Sequence, residues 1–522
     1  MNTLLITLQD EKEVIGVKYL HYTLIKNGYN SFLLYLPFLD FDNKNVLDEI
    51  KKTISDISPG FIGISLMSIN YYKACDLTKY LKNNFSNIPI IWGGIHPTVA
   101  PEMCLKHVDY VCIGEGEKTI IDFANAVKNN SQNKIKGIKN LCYLEDGKIK
   151  RNPLYPLIDN LDEIPYYEFI PANTFILDKG RIQVLNKKLF KKYSLYSGKT
   201  YTVISSRGCP FHCTYCINNF YLRLYKKNKV RRRSVENIIS ELEKAVNEYP
   251  EIEFVNFEDD SFLSAGMDYL KDFCKAYKEK IKKPFIVHGI PIYINKDMIR
   301  ILKDAGLSWI NLGLESGSDR TLKQVFKRKS YRSDFLKAAN IIKEFKIPAF
   351  YDAIVDNPFE KEEDELDTLK TIIDTPTPFI LRVVSLTFFH GTEIYERAKK
   401  ECPERIEETC PKYNFVLVED KSINRLIKSA PYLSKRYMNK MIHLYKQNPT
   451  GLRFKTNLAV INKFWVVMIL MPVSYFSLIR LSYNGFFFKF LKNFSKMLFF
   501  YYYSHIYYLF SHKYKYFYKY PF

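Results

Sequence analysis

Short apolar runs and amphipathic stretches alternate twice along this 522-residue chain, and that alternation limits the fold more than any other feature of the sequence. In the first set, strand-like runs fall at residues 4–8, 32–36, 61–65, 88–92 and 110–113, with helix-like stretches at 13–26, 71–83 and 118–127. In the second, runs at 201–205, 254–257, 285–288, 309–312, 349–355 and 379–386 alternate with helices at 235–248, 267–279, 297–305, 331–345 and 362–373. Ser234 is a reasonable N-cap for the first of these helices. Parallel strands need a crossover between them, and a helix is the usual one. The chain is therefore read as α/β. Residues 1–150 are expected to form a doubly wound, Rossmann-like sheet with helices on both faces. Residues 198–400, with six β/α units, are expected to form a partial TIM barrel open along one side. Pro153, Pro156, Pro165 and Pro171 punctuate residues 151–197, which read as an extended linker.

Both kinds of sheet bind ligands beyond the carboxyl ends of their strands. Directly after the first strand of the second set stand Cys209, Cys213 and Cys216, at spacing C-x3-C-x2-C. Three thiolates in one loop can hold three irons of a cubane cluster and leave the fourth iron open to a small molecule. The alternative is a zinc loop. Structural zinc takes four ligands, and His212, between two of the cysteines, is poorly placed to turn to the same ion.

Other strand ends are polar or glycine-rich. Glu258-Asp259-Asp260 follows the second barrel strand, and Gly313-Leu314-Glu315-Ser316-Gly317-Ser318 the fourth, with a short helix expected from Ser318. Asp356 follows the fifth and is a candidate partner for a ribose hydroxyl or a substrate; His390 follows the sixth. In the N-terminal set, Gly63-Ile64-Ser65, Gly93-Gly94 and Gly114-Glu115-Gly116 occupy the ends of the third, fourth and fifth strands. Glycine there lets the backbone approach a ligand closely. None of these turns is a G-x-G-x-x-G fingerprint, so a nicotinamide or flavin site is poorly supported.

The triad, with the aromatic Tyr215 just before its last cysteine, resembles the signature of the radical S-adenosylmethionine (SAM) superfamily. The resemblance implies a [4Fe-4S] cluster on Cys209, Cys213 and Cys216. Its open iron would bind SAM, and one-electron reduction would release a 5′-deoxyadenosyl radical. It further implies that Tyr215 packs beside the adenine, that Glu258 and Asp260 face the SAM ammonium, and that Glu315 and Ser316 contact SAM. The three glycine turns resemble the cobalamin-binding domain that precedes the radical domain in one large branch. Gly63, Ser65, Gly93, Gly94, Gly114 and Gly116 are then the cobalamin contacts. The D-x-H-x-x-G motif of other cobalamin proteins is absent, and His21, His96 and His107 lack its context. Cobalamin would bind without that lower histidine ligand.

At 47% hydrophobic residues the chain can bury sizeable cores and is not disordered by composition. The ten cysteines are scattered apart from the triad, which excludes a disulfide scaffold and points to a reducing cytoplasm. The run at 4–8 begins within a few residues of Met1 and reads as a strand, not a targeting signal. Cys75, Cys104, Cys112 and Cys142 read as small buried hydrophobes, and Cys402 with Cys410 makes no second cluster.

Charge is uneven. From residue 421 on there are 17 basic residues and no acidic ones, so the first 420 residues carry only +4 of the formal +21. Residues 401–522 are read as a helical, basic and aromatic C-terminal region. Its uncharged run at 464–479 is shorter than the ~20 residues of a spanning helix. Lys489, Lys492 and Lys496 among large aromatics suit a helix lying on an anionic bilayer. The other readings are a helical cap on the barrel and, least favoured, nucleic-acid binding.

The function expected is radical chemistry on an unactivated carbon, cobalamin-dependent methylation or skeletal modification of a small-molecule or lipid-like substrate. An electron donor such as flavodoxin or ferredoxin would serve it. The rivals are a tRNA methylthiotransferase and a non-catalytic metal-loop protein binding RNA or membrane.

Overall fold

The computed structural model describes residues 1–10, 13–194, 198–227, 229–409 and 418–448. Two sheets account for most of the architecture. The first has nine strands: β1 Asn2–Thr7, β2 Asn30–Tyr35, β3 Ile62–Ser65, β4 Ile90–Gly93, β5 Tyr110–Cys112, β6 Leu141–Glu145, β7 Lys148–Arg151, β8 Thr174–Asp178 and β9 Arg181–Val184. Their order is β7-β6-β5-β4-β3-β1-β2-β8-β9. The pairs among β1–β5 are parallel, so the doubly wound reading of the N-terminal region holds.

Side chains alternate across this sheet with the period of two that a strand imposes. Leu4, Ile6, Leu34, Ile64 and Trp92 enter a core on one face. Leu5, Leu33, Tyr35 and Ile91 enter a core on the other, which continues without a break into the second domain.

The segment read as an extended linker is part of this sheet. β8 pairs in parallel with β2, and β9 folds back antiparallel on β8. Lys179 and Gly180, both at positive φ, form the two-residue turn between them, as the twist of a tight hairpin demands. The prolines that suggested a bridge lie before this hairpin. A helix not foreseen also covers the sheet, Lys44–Ile57, with Val46, Ile50, Ile54 and Ile57 buried and Asn43 capping its start.

The second sheet has six parallel strands in the order β10-β13-β14-β15-β16-β17, the open partial barrel expected. They are β10 Thr200–Val203, β13 Phe254–Phe257, β14 Phe285–Gly289, β15 Leu307–Glu315, β16 Ala349–Val355 and β17 Ile380–Ser385. A separate two-residue ladder, β11 Ser206–Arg207 against β12 Arg231–Arg232, opens the cysteine loop. Ser234 caps the helix Val235–Glu248 by accepting from Asn237 N at 3.1 Å.

The basic C-terminal region begins as a cap on the barrel. Helices Ser422–Ser429 and Lys435–Gln447 pack on Glu362–Asp374, burying Ile423, Leu426, Ile427 and Met438. The run at 464–479, Lys489, Lys492, Lys496 and Cys410 lie outside the described residues. Among the described residues, no helix is long and apolar enough to cross a membrane.

Candidate active site

The cysteine loop is braced at every turn. Buried Asp259 accepts from Ser205 N at 3.1 Å, Ser205 Oγ at 2.7 Å and Ser206 Oγ, tying the end of β10 to the end of β13. Gly208, at φ +97°, donates its N–H to Asp260 Oδ2 at 3.3 Å. Thr214 N donates to Phe326 O at 2.9 Å, and Thr214 Oγ1 to Val325 O at 2.7 Å.

The three thiols are sunk among Phe211, Tyr215, Ile290 and Tyr293. Burial pushes Cys209 and Cys216 up to about 12 and raises Cys213 as well. Such thiols stay protonated until a metal's positive charge displaces the protons. Among the described residues, no three of His, Cys, Asp and Glu stand close enough to share one metal ion. Three sulfurs, each serving its own iron, suit a cubane with one open iron, whereas a structural zinc takes four ligands.

Of the three adjacent acids, Asp259 is the brace, while Glu258 and Asp260 remain for the site. Burial raises Asp260. Burial also works to raise Glu258, but hydrogen bonding and charge from His288 overcome it and leave that carboxyl below its usual range. His288 Nε2 lies 3.5 Å from Glu258 Oε2. Period-two alternation shows which way these strands face. Val287 and Tyr351 pack into the core that runs on from the first sheet into the barrel, so His288 and Asp352 point into the lumen. There Arg382 grips Asp352 through Nε and Nη2, both at 2.6 Å. The lumen is charged where it meets the strand ends.

Tyr215 and Glu315 meet through a residue that the sequence did not single out. Arg328 Nη1 donates to Tyr215 Oη at 2.8 Å and to Glu315 Oε1 at 3.3 Å, and its Nη2 donates to Gly313 O at 2.9 Å. Tyr215 also stands edge-on to Phe326, centroids 4.8 Å apart. Burial raises Glu315 against the pull of Arg328. Glu315 ends β15 at φ +63°, beside a register shift against β16.

Ser316 does not face open space. It is fully buried, its Oγ donates to Glu360 Oε1 at 2.9 Å, and it accepts from Ser318 N at 3.2 Å, so it braces the turn. The short helix expected from Ser318 is present: Ser318 O accepts from Leu322 N at 2.9 Å and Ser318 Oγ from Thr321 N at 3.3 Å, Asp319 and Arg320 are helical, and Thr321–Val325 continue as a π-helical turn. Asp356 is likewise no ligand donor: its two carboxylate oxygens accept from Glu419 N at 2.9 Å and Asn424 Nδ2 at 2.7 Å. It anchors the C-terminal cap. His390 packs its ring against His96 of the N-terminal domain, centroids 5.8 Å apart, and is an interdomain loop residue.

One cavity of about 350 Å³ joins the two domains. Gly63, Ser65, Gly93, Gly94, Gly114 and Gly116 line it from the ends of β3, β4 and β5, and Cys209 and Asp260 from the barrel. The glycines divide into two kinds. At Gly94, at φ +101°, a Cβ would stand 2.8 Å from Leu66 O, so the protein's own backbone requires glycine there; at Gly63 it would stand 2.7 Å from Leu5 Cδ2, a side-chain end that would have to move. At Gly93 and Gly116 a Cβ would meet nothing closer than 3.4 Å, and their bare backbone faces the cavity. Gly114 is covered by Tyr225, from the helix Ile217–Tyr225 that follows the triad.

Among the described residues, those lining the cavity include the backbone turns and Ser65 but no histidine. This edge fits a corrinoid held through backbone and amide contacts. His21 is occupied by Ser31 and Ala172, and His96 by Ser68. Cys104 and Cys142 lie in the core that holds Leu4, Ile6 and Trp92, Cys112 borders the cavity, and burial raises all three thiols.

The family profile for the B12 binding domain matches residues 1–124, and that for the Radical SAM superfamily matches residues 203–372. An uncharacterized methyltransferase, PH0819, of Pyrococcus horikoshii is 27% identical over 355 residues, covering 67% of this chain and 72% of that protein. The anaerobic magnesium-protoporphyrin IX monomethyl ester cyclase of Cereibacter sphaeroides is 23% identical over 464 residues, covering 86% of this chain and 71% of that one. Among solved structures, the radical SAM methyltransferase TsrM of Kitasatospora setae, with cobalamin and a [4Fe-4S] cluster bound, superposes with a TM-score of 0.62. It is 15% identical and covers 77% of this chain and 78% of its own, a likeness of fold. With the B12-binding domain ahead of the radical domain and the triad at the end of the first barrel strand, the chain belongs to the radical SAM superfamily, in the branch that carries a cobalamin-binding domain.

Proposed function

We propose that the chain is a cobalamin-dependent radical SAM enzyme that methylates or rearranges an unactivated carbon of a polar small molecule. One observation carries this reading: the glycine turns of the N-terminal domain and Cys209 of the triad line the same cavity. Cys209, Cys213 and Cys216 would hold the cluster, and Gly93, Gly116 and Ser65 the corrinoid. When bound, these groups supply an electron for SAM cleavage and a carrier for a methyl group.

The protein's own residues do the rest. Asp260 and Glu258 offer acceptors beside the loop for an ammonium. Arg328 holds Tyr215 and Glu315 in one orientation. The apolar side chains around the thiols, Phe211 and Ile290 buried and Tyr215 and Tyr293 partly so, would limit the water that reaches a reactive radical. Asp352, Arg382, Glu258 and His288 make the lumen ionic, which favours a polar substrate over a lipid-like one. A low-potential electron donor, such as flavodoxin or ferredoxin, completes the scheme.

The test is anaerobic reconstitution of the full chain with iron, sulfide and hydroxocobalamin. The expected result is a retained corrin absorption together with 5′-deoxyadenosine formation from SAM. Cys209→Ala, Cys213→Ala and Cys216→Ala should each lose both cluster and SAM cleavage. A wild-type protein that takes up the cluster and retains no corrinoid would overturn the cobalamin-dependent reading.

A further inference from the structure

Arg207 and Arg231 stand directly opposite each other across the ladder β11–β12 that opens the cysteine loop. Like charges opposed across a ladder repel, so this pairing is unfavourable by itself. The relief comes from the other domain. Glu115, between the two glycines of the third turn, accepts from Arg231 Nη2 at 2.7 Å and Arg207 Nη1 at 3.2 Å through Oε1. Its Oε2 accepts from Arg231 Nη1 at 3.1 Å and from Ile158 N at 3.1 Å. Glu117, two residues on, accepts from Arg207 Nη2 at 2.6 Å. The backbone of Glu115 is fixed as well, its N–H donating to Tyr225 Oη at 3.2 Å and its carbonyl accepting from Asn140 Nδ2 at 2.8 Å.

We propose that Glu115 is a positioning residue that sets the register between the glycine-turn side of the cavity and the cysteine loop, an inference that rests on the cobalamin-dependent reading above. Four segments meet at this one carboxylate: the third glycine turn, both strands of the ladder, and the chain at Ile158. Arg207 is two residues from Cys209, and Gly116 faces the cavity one residue from Glu115. The distance from a corrinoid on the N-terminal domain to a cluster on the loop is therefore set through Glu115. An ionised carboxylate is required, because an amide would turn an N–H donor toward a guanidinium and leave the two arginines facing each other.

The test compares wild type with Glu115→Gln by two readouts on the full chain. The first is amide exchange of the apoprotein, where peptides covering 204–210 and 229–233 are expected to exchange at least tenfold faster in the variant, with 307–315 unaffected. The second is the enhancement of cob(II)alamin electron-spin relaxation by the reduced cluster in reconstituted protein, expected to fall at least twofold. Either readout unchanged overturns the inference. Should Glu115→Gln fail to fold, Glu117→Gln, which loses only an Arg207 contact, is held to the same criterion with a smaller shift. A wild type that binds no cobalamin defeats the function proposed above, and the exchange readout then decides the register by itself.

Discussion

Tyr225 places its hydroxyl in the space above Gly114 where a Cβ would stand, and accepts a hydrogen bond there from the Glu115 N–H at 3.2 Å. The glycine serves a contact within the protein, between the N-terminal turn and the helix that follows the triad. Gly114 also has φ +79°, which costs a residue with a Cβ about 1–2 kcal/mol. Gly114→Ala should therefore destabilise the chain by more than that conformational cost, because Tyr225 must move as well. In a Tyr225→Ala background the clash is gone and only the conformational cost remains. A double-mutant cycle on thermal unfolding checks this, and equal effects of Gly114→Ala in both backgrounds would refute it.

Asp356 gives a second prediction. Its carboxylate accepts from Glu419 N and Asn424 Nδ2, with Lys421 Nζ at 3.7 Å. Asp356→Asn puts a donor against one of those donors and removes the charge facing Lys421. A loss of about 1–3 kcal/mol is expected, concentrated in the C-terminal cap. Limited proteolysis should then cut between residues 418 and 434 in the variant well before the barrel opens. A cleavage pattern identical to wild type would count against this anchor.

The β/α alternation and the triad were legible because each depends on local pattern. The missed helix Lys44–Ile57 carried its own signal, apolar residues four, four and three apart after a capping Asn43. The β8–β9 hairpin was obscured by the prolines before it. What could not be read were contacts between residues far apart in sequence. Ser316 and Glu315 are adjacent in the chain, yet one is sealed by Glu360 and the other faces Arg328. No local pattern distinguishes them. Asp356 is in the same position, since its partners lie more than 60 residues away. Nothing local to Arg207 or to Arg231 shows that the ladder opposes them or that Glu115 binds both.

Arg328 gives a third prediction. Its side chain is 8% exposed and joins Tyr215, Glu315 and Gly313. Arg328→Met leaves the Glu315 carboxyl buried without its counter-charge, a loss on the order of 3–5 kcal/mol. Arg328→Lys keeps the charge but not the fork that reaches three acceptors at once, so an intermediate loss is expected. Tyr215 would be released in both. Thermal unfolding should rank wild type above Arg328→Lys above Arg328→Met. A methionine variant as stable as wild type would show that the pair contributes nothing.

Glu360 carries a prediction about pH. Burial is the main cause that raises its carboxyl to about 7, eased by hydrogen bonds from the Ser316 and Thr321 hydroxyls. A carboxyl raised in the folded state binds its proton more tightly there than in the unfolded chain. The stability it contributes is full below the unfolded value of about 4.5 and is lost as pH rises to about 7. The size of that loss is on the order of 3 kcal/mol. Glu360→Gln keeps the acceptor for Ser316 and carries no charge at any pH, so it should lack this slope. Unfolding of both proteins between pH 4.5 and 8 checks the sign: the variant should gain on wild type as pH rises through this window and gain no more beyond it. Parallel pH profiles would mean that Glu360 takes its charge without cost, and that the Ser316 turn is not the buried site its packing describes.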